Sequence, residues 1–407
     1  MAMADGSSVC KLAVVASHPI QYFTPLYQRL ATAPGLDLEV FFCRDFGVQR
    51  RYDKQFGRTI QWDVDLLAGY RHRFLPNVSP VHDTFNPLHA VNPTIFAYLL
   101  RKFDALWLHG YLYPSNWLAA AAAMLRGTPI LSRSELRNHA DRPSRWFDAL
   151  RDRVIRTWVQ RSDALLYIGT LNRQAYLARG AREEQLFFCP YSVDVARLRD
   201  AAMNRSGAKL MLRERFGIPE DRVVVLFAGK LMARKHPEAV LECGDLLPLR
   251  ERAHLLFVGS GPMEQQLRET ASQRSLPNVT FAGFVNQQQL PRLYAASDVF
   301  AMPSENETWG LALNEAMAAG VSPVASDDVG AAADLIEQGH TGFVFPSRDW
   351  REMQKYIVRL VTDAGLRAEM GRAAARRSLT YSHEASVKGI LDALSALGVY
   401  RRVDGAV

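Results

Sequence analysis

Five continuous apolar runs punctuate the second half of the chain: Val223–Ala228, Leu255–Val258, Val299–Met302, Val321–Ala325 and Gly342–Phe345. Amphipathic stretches lie between them at Pro237–Leu247, Pro262–Gln273, Gln287–Ala296, Gly310–Ala319 and Ala331–Gln338. Runs without polar alternation predict strands covered on both faces, hence a parallel sheet. The alternation with helical stretches predicts a doubly wound α/β domain. The first half repeats the pattern less cleanly, with strands expected at Lys11–Ala16, Leu38–Cys43, Ala105–His109, Pro129–Ser132 and Ala164–Ile168. Arg44–Pro93 is irregular and rich in Asp, Arg, Pro and aromatics, and a loop region of that length is more often functional than idle.

The pattern breaks between Val193 and Phe216. We therefore expect two doubly wound, parallel-sheet α/β domains, residues 1–205 and 206–381, facing across a cleft. A final helical stretch, Ser382–Val399 within residues 382–407, is expected to pack back on the first domain. Two similar α/β halves with a cleft between them suit a ligand with two parts.

A length of 407 residues fits two domains. The four cysteines, Cys10, Cys43, Cys189 and Cys243, form no CxxC pair. That spacing argues against a zinc site or a disulfide framework and for a reducing, cytoplasmic setting. The N-terminal MAMADGSSVCKLAVVAS lacks the basic start of a signal peptide. The most apolar helix, Trp117–Leu125, is too short to span a bilayer. The net charge of +7 admits anionic partners without choosing among them.

The informative stretch is Met302-Pro-Ser-Glu-Asn-Glu-Thr-Trp-Gly-Leu-Ala-Leu-Asn-Glu-Ala-Met-Ala-Ala-Gly320. It reads as strand, loop and helix, with Gly320 as the C-terminal cap. Open α/β sheets bind ligands at that edge. The helix is expected to begin near Thr308–Gly310, and amides at Gly310 and Leu311 favour a phosphate. Glu307 precedes those amides, and Glu315 lies about one and a half turns deeper. One carboxylate can serve each side of a bound diphosphate, a sugar on one side and a ribose on the other.

Glu307-x7-Glu315 resembles the signature of the retaining glycosyltransferases of family four, bacterial type, whose two-Rossmann-domain fold is called GT-B. Further blocks agree in order. Tyr191-Ser-Val-Asp194, Phe227-Ala-Gly-Lys-Leu-Met-Ala-Arg-Lys235, Phe257-Val-Gly-Ser-Gly-Pro262, Phe281-Ala-Gly-Phe284 and Asp334-Leu-Ile…Gly339-His-Thr-Gly-Phe343 each resemble a family segment. The resemblance implies that Glu307 contacts the donor sugar, Glu315 holds the ribose, and Lys230 and Lys235 bind the diphosphate. Thr308, Trp309, Gly310, Leu311, Gly259, Gly261 and Phe284 would line the donor site, Phe284 in the base-contacting loop. Lys230 stands where Arg is usual, and His236 where Gly often follows; lysine keeps the charge but not the bidentate fork. Glu305 finds only Leu313 eight residues on and reads as surface.

In the first half, Ser17-His-Pro-Ile-Gln-Tyr22 replaces the family's Gly-rich loop. The segments Tyr52-Asp…Phe56-Gly…Trp62-Asp, Leu108-His-Gly-Tyr111 and Leu131-Ser-Arg-Ser-Glu135 resemble a bacterial subset. His109 and His18 end strands; each is a candidate for donor sugar or acceptor, or a structural histidine. The usual His-Asp pair near Ser134–Glu135 is absent, leaving Arg133 and Glu135 as acceptor-side candidates. Ser144–Arg161 mixes arginines with Trp146, Phe147 and Trp158, which suits either an anionic membrane surface or an ordinary packed helix.

The resulting expectation is a metal-independent hexosyltransferase. It takes sugar from a nucleotide diphosphate, a UDP-sugar by resemblance, to a hydroxyl of a glycan, lipid-linked or small-molecule acceptor. The nucleotide-sugar is a co-substrate, no cofactor is needed, and no nucleic acid is bound. The setting is the cytoplasm, with peripheral attachment to the inner membrane face as an option. The rivals are an Asp63-Val-Asp65 metal site, a sugar-nucleotide epimerase of the same fold, and a non-catalytic sugar- or nucleic-acid-binding protein.

Overall fold

The computed structural model describes residues 9–53, 55–81, 86–137 and 146–401. The strands in chain order are β1 (Cys10–Ala16), β2 (Leu36–Phe42), β3 (Arg51–Asp53), β4 (Arg58–Ile60), β5 (Arg71–Phe74), β6 (Ala105–His109), β7 (Ile130–Arg133), β8 (Ala164–Tyr167) and β9 (Leu186–Phe188). The second half adds β10 (Val223–Ala228), β11 (Ala253–Val258), β12 (Val279–Gly283), β13 (Val299–Met302), β14 (Ser322–Ser326) and β15 (Phe343–Phe345). The chain divides into two compact units: Met1–Gln49, Asp65–Pro190 and His383–Val407 form the first, and Arg50–Val64 with Tyr191–Ser382 the second.

The first unit holds a seven-stranded sheet in the order β5-β2-β1-β6-β7-β8-β9, parallel throughout. Order reverses between β1 and β6, so the loops leaving these two strands open side by side at the carboxyl edge. The central strands are buried on both faces, with Leu12, Val14, Leu108 and Trp107 sealed from solvent. Helix Pro114–Arg126 begins on a proline and ends at Gly127 in the left-handed region, both favoured terminal choices.

The second unit holds a six-stranded parallel sheet, β12-β11-β10-β13-β14-β15. Here the switch falls between β10 and β13, so the loops after Ala228 and Met302 are neighbours. The core joins one face of β10 and β11, that of Val225, Phe227, Leu255 and Phe257, to helices Pro237–Glu242, Glu264–Gln273 and Trp350–Thr362. Asp349 caps the last of these by accepting from the Glu352 amide at 3.1 Å.

Several elements differ from the sequence expectation. β5, Arg-His-Arg-Phe, is an exposed edge strand whose charges pair across to Asp37 and Glu39, so it lacks an apolar run. β9 and β12 are only half-buried and carry no long apolar stretch. The expected helix Ala331–Gln338 shrinks to Ala332–Leu335, and Pro237–Leu247 breaks at Cys243–Asp245.

The boundary moves from 205/206 to 190/191. Helices Val195–Met203 and Arg205–Phe216 pack on helix Leu290–Ala296 of the second unit. Arg205 donates to the Ala295 carbonyl at 2.9 Å and to Asp298 at 2.7 Å, and Lys209 reaches Asp298 at 3.1 Å. Arg50–Val64, carrying the β3–β4 hairpin, also belongs to the second unit although it interrupts the first in sequence. The C-terminal helix His383–Ala396 packs on the first unit, where Ser386 donates to the Pro190 carbonyl at 2.7 Å and Tyr400 to the Pro34 carbonyl at 2.9 Å. Residues 1–8 and 402–407 lie outside the described residues. All four cysteines are free and buried, and burial pushes the Cys10, Cys43 and Cys243 thiols up to about 12.

Candidate functional site

The loop after β10 carries Lys230, then the short 3-10 turn Ala233–Lys235. His236 sits in the left-handed region (φ 47) and turns the chain into helix Pro237–Glu242. The loop after β13 carries Glu307. Its backbone is fixed between strands: Glu307 N–H donates to the Asp328 carbonyl at 3.2 Å, and Gly330 N–H to the Glu307 carbonyl at 2.9 Å. The topological switch therefore brings Glu307 to the two cations of the neighbouring loop. Lys235 donates to Glu307 Oε2, and Arg234 reaches the same oxygen at 3.1 Å. Burial lowers the Lys235 pKa, and the Glu307 charge opposes that shift. Sequence reasoning placed Lys235 on a diphosphate and Glu307 on a sugar; it did not find that they hold each other, and it missed Arg234.

Glu305, expected on the surface, is half-buried instead. It takes Arg348 as a two-pronged partner and lies 3.2 Å from His236 Nε2. The Arg348 hydrogen bonds hold its carboxyl down at about 2. This network fastens the loop between Glu305 and Glu307 from its outer side.

Helix Leu311–Ala318 starts one residue past the expected window Thr308–Gly310, after Gly310 at φ 105. A Cβ on Gly310 would stand 2.9 Å from Val329 Cγ1 and 3.0 Å from Met302 Cε, so the tight entry requires glycine. Thr308 and Trp309 lie before the helix. Trp309 is 3% exposed and stacks near Tyr381 (centroids 5.5 Å), so its ring serves the core. Thr308 is half-buried, and its carbonyl would lie 2.1 Å from a Cβ on Gly330. Glu315 is half-buried on the helix and accepts from the Tyr294 hydroxyl at 2.7 Å, a partner with no sequence signal. Burial pushes its carboxyl up to about 7.

Gly259 and Gly261 serve chain packing. Gly259 (φ 139) would place a Cβ 1.8 Å from the Gly229 carbonyl oxygen, and Gly261 one 2.4 Å from the Leu231 carbonyl oxygen. Leu231 N–H meanwhile donates to the Ser260 carbonyl at 3.0 Å. The turn thus clamps the Lys230 loop from behind. Gly259→Ala is expected to cost about 2–4 kcal/mol, from strain plus forced separation of two backbones, read as a lower denaturant midpoint.

Phe284 closes the segment after β12 and meets the β3–β4 hairpin. Phe56 lies edge-on to it (5.3 Å), Trp62 is at 6.2 Å, and the Arg58 guanidinium sits 5.1 Å over its ring. Beside it opens a cavity of about 420 Å³ with Arg50, Arg58 and Arg215 in its lining. Asp63 and Asp65 are occupied by backbone amides: Asp63 accepts from Gln288 N–H at 3.1 Å and Asp65 from Leu67 N–H at 2.9 Å.

In the first unit, His18 and His109 both stand at the β1/β6 switch. His109 Nε2 is 3.1 Å from the Tyr27 hydroxyl, with Phe23 and Trp107 rings against it. Burial holds its pKa well below the usual histidine value, so it is neutral at pH 7. His18 pairs with Ser17 Oγ at 2.9 Å, and burial lowers it to about 4. Arg133 is buried, donates to the Pro190 carbonyl at 3.1 Å and covers the Phe23 ring. Glu135 is exposed.

Residues 209–377 match the family described as glycosyl transferases group 1, and residues 19–192 match the glycosyl transferase 4-like domain. The chain belongs to this glycosyltransferase family. It is 33% identical over 211 residues to D-inositol 3-phosphate glycosyltransferase of Salinispora arenicola, covering 49% of this chain and 47% of that one. It is 33% identical over 166 residues to alpha-D-kanosaminyltransferase of Streptomyces kanamyceticus, covering 40% of this chain and 42% of that one. The chain thus spans about half the length of the curated relatives it matches. Among solved structures, Anabaena HepE in complex with UDP superimposes with a TM-score of 0.72 at 17% identity, covering 95% of this chain and all of that one. Sucrose-phosphate synthase from Thermosynechococcus elongatus gives 0.71 at 19% identity, covering 96% and 99%. These likenesses establish the fold, two Rossmann-like units of the GT-B type.

Proposed function

We propose that this glycosyltransferase moves a sugar from a UDP-type nucleotide diphosphate donor to an acceptor hydroxyl with retention of configuration. The observation that carries the reading is the meeting of Glu307 with Lys235 and Arg234 at the switch point of the second sheet, ahead of the Gly310–Leu311 helix start. A UDP complex is known for HepE, which shares the fold. Departure of the diphosphate leaves an oxocarbenium-like sugar and gathers negative charge on the leaving group. Lys230, Lys235 and the helix-start amides would stabilise that charge, which is electrostatic catalysis by groups already in place. Glu307 would then exchange its cations for sugar hydroxyls as the diphosphate arrives. Two lysines supply the positive charge, so the reading needs no metal, and activity is expected to persist in EDTA.

On the first unit, His109 is a neutral imidazole backed by Tyr27, suited to a hydroxyl partner rather than to an anion. His18, Arg133 and Glu135 complete our acceptor-side assignment. A thermal-shift screen of nucleotide sugars, followed by product analysis of the best ligand with and without sugar or polyol acceptors, tests the whole reading. A transferred sugar with the donor's anomeric configuration is expected. Release of an epimerised sugar from donor alone would instead make the chain an epimerase.

Peripheral membrane attachment is the finer part of the proposal. Helix Trp146–Arg161 exposes Leu150 and Val154, one turn apart, beside the exposed Arg151 and Arg153, and exposed Trp117 packs on its Trp158. Ser144 and Arg145 lie outside the described residues. Apolar side chains next to guanidinium groups match an anionic lipid surface. Flotation with phosphatidylglycerol vesicles is expected to carry the chain up. The double change Leu150→Glu, Val154→Glu should weaken that by about tenfold or more. Equal recovery of both forms would remove this part of the proposal.

A further inference from the structure

The β3–β4 hairpin lies on the two places that the proposed function gives to the donor. Gln55 Oε1 accepts from the Lys230 ammonium, and the Lys230 nitrogen stands 4.7 Å over the Phe56 ring. Ser260, inside the Gly259–Gly261 turn, donates its hydroxyl to the Phe56 carbonyl at 3.0 Å. Asn286 reaches the Gln61 carbonyl at 2.7 Å. Together with the contacts on Phe284, these join the hairpin to the Lys230 loop, the glycine turn and the Phe284 segment at once.

Lys230 differs from Lys235 in one decisive way. Lys235 donates to a carboxylate, whereas Lys230 donates to a neutral amide. Burial penalises the Lys230 charge, and Asp53 of the same hairpin is the largest counter-influence. An amide oxygen facing a half-buried ammonium is a weak version of a phosphate oxygen in the same place. We propose that Gln55 is a positioning residue that occupies Lys230 until the donor diphosphate displaces it, so that the hairpin sets donor affinity. The proposal rests on the assignment of Lys230 to the diphosphate.

The logic is competitive. When part of the population has Lys230 engaged, apparent donor affinity falls by the fraction that is free. A hydrogen bond to a charged group is strong enough for this to be measurable. Gln55→Ala should therefore tighten UDP binding, by about threefold to tenfold in titration calorimetry. Gln55→Glu replaces the amide by a carboxylate, strengthens the hold on Lys230, and should weaken UDP binding by at least as much. Damage to the fold would lower affinity in both variants, so opposite signs are the mark of displacement. Hydrogen–deuterium exchange across residues 55–64 should rise when UDP is added to the native chain.

Weaker UDP binding by Gln55→Ala, or slower exchange with UDP, would mean that Gln55 contacts the bound donor and would overturn the proposal. Unchanged affinity in both variants would overturn it too. Lys230→Ala separates the two readings. If it keeps native UDP affinity, the donor assignment itself fails. If it loses affinity while the Gln55 variants bind normally, only the role of the hairpin fails.

Discussion

Glu307→Ala is expected to lower the rate of transfer by about a thousandfold at saturating donor, with the chain still folded. Two consequences follow from one geometry. The proposed contact with sugar hydroxyls would be lost, and it is one that strengthens as charge develops on the ring. Before donor binds, Lys235 would also lose the carboxylate that offsets its burial, so its pKa would fall further and less of the free chain would carry the charge that receives the diphosphate. The stability cost should sit at the low end for a broken buried pair, about 3 kcal/mol, because Glu307 and Lys235 both keep some solvent contact. The two side chains form one unit, so Lys235→Ala and the double variant should each fall to a similar level instead of multiplying. Turnover within about threefold of the native chain, for a Glu307→Ala protein that still unfolds in one cooperative transition, would sink the donor-site assignment.

Such a prediction could be framed from residues alone only in part. β10, β13 and β6 run over the residues that the apolar pattern predicts, since strands buried on both faces leave no polar alternation to misread. Glu307, Glu315, Lys230 and Lys235 were legible because spacing and flanking blocks resembled a family. Their partners were not. Tyr294 reaches Glu315 from a helix whose pattern looks like any packed surface, and Gln55 reaches Lys230 across 175 positions of sequence. The hairpin stayed hidden for a further reason: Arg51, Tyr52 and Arg58 are exposed, so its strands have no hydrophobic period. Gly259 and Gly261 have a packing reason beside any donor contact: the backbone oxygens of Gly229 and Leu231 stand where a Cβ would lie.

Glu315 should make both stability and donor binding depend on pH near neutrality. Burial raises its carboxyl from an ordinary 4.5 to about 7. Below about pH 4.5 the folded and unfolded chains both hold the proton. Between there and about pH 7 only the folded chain keeps it, so stability falls as pH rises through that window and levels off above. The full shift corresponds to about 3 kcal/mol. Glu315→Gln keeps an oxygen for the Tyr294 hydroxyl without the charge. It should match the native chain at pH 4.5 and exceed its stability at pH 8 by up to about that amount, in denaturant titrations. Donor binding should run the other way. We propose that a ribose hydroxyl donates to the carboxylate, so that the bound donor favours the ionised form and releases a proton. Affinity for a UDP-sugar, whose esterified diphosphate does not titrate in this window, should rise by up to about tenfold from pH 6 to pH 8, about half of it below pH 7, and flatten above. Calorimetry in two buffers of different ionisation heat would register the released proton. A Glu315→Gln variant that binds more weakly and shows neither slope nor proton release would tie both effects to this carboxylate. A slope that survives the substitution would place the ribose contact elsewhere, leaving Glu315 with Tyr294 as a buried polar pair of the fold.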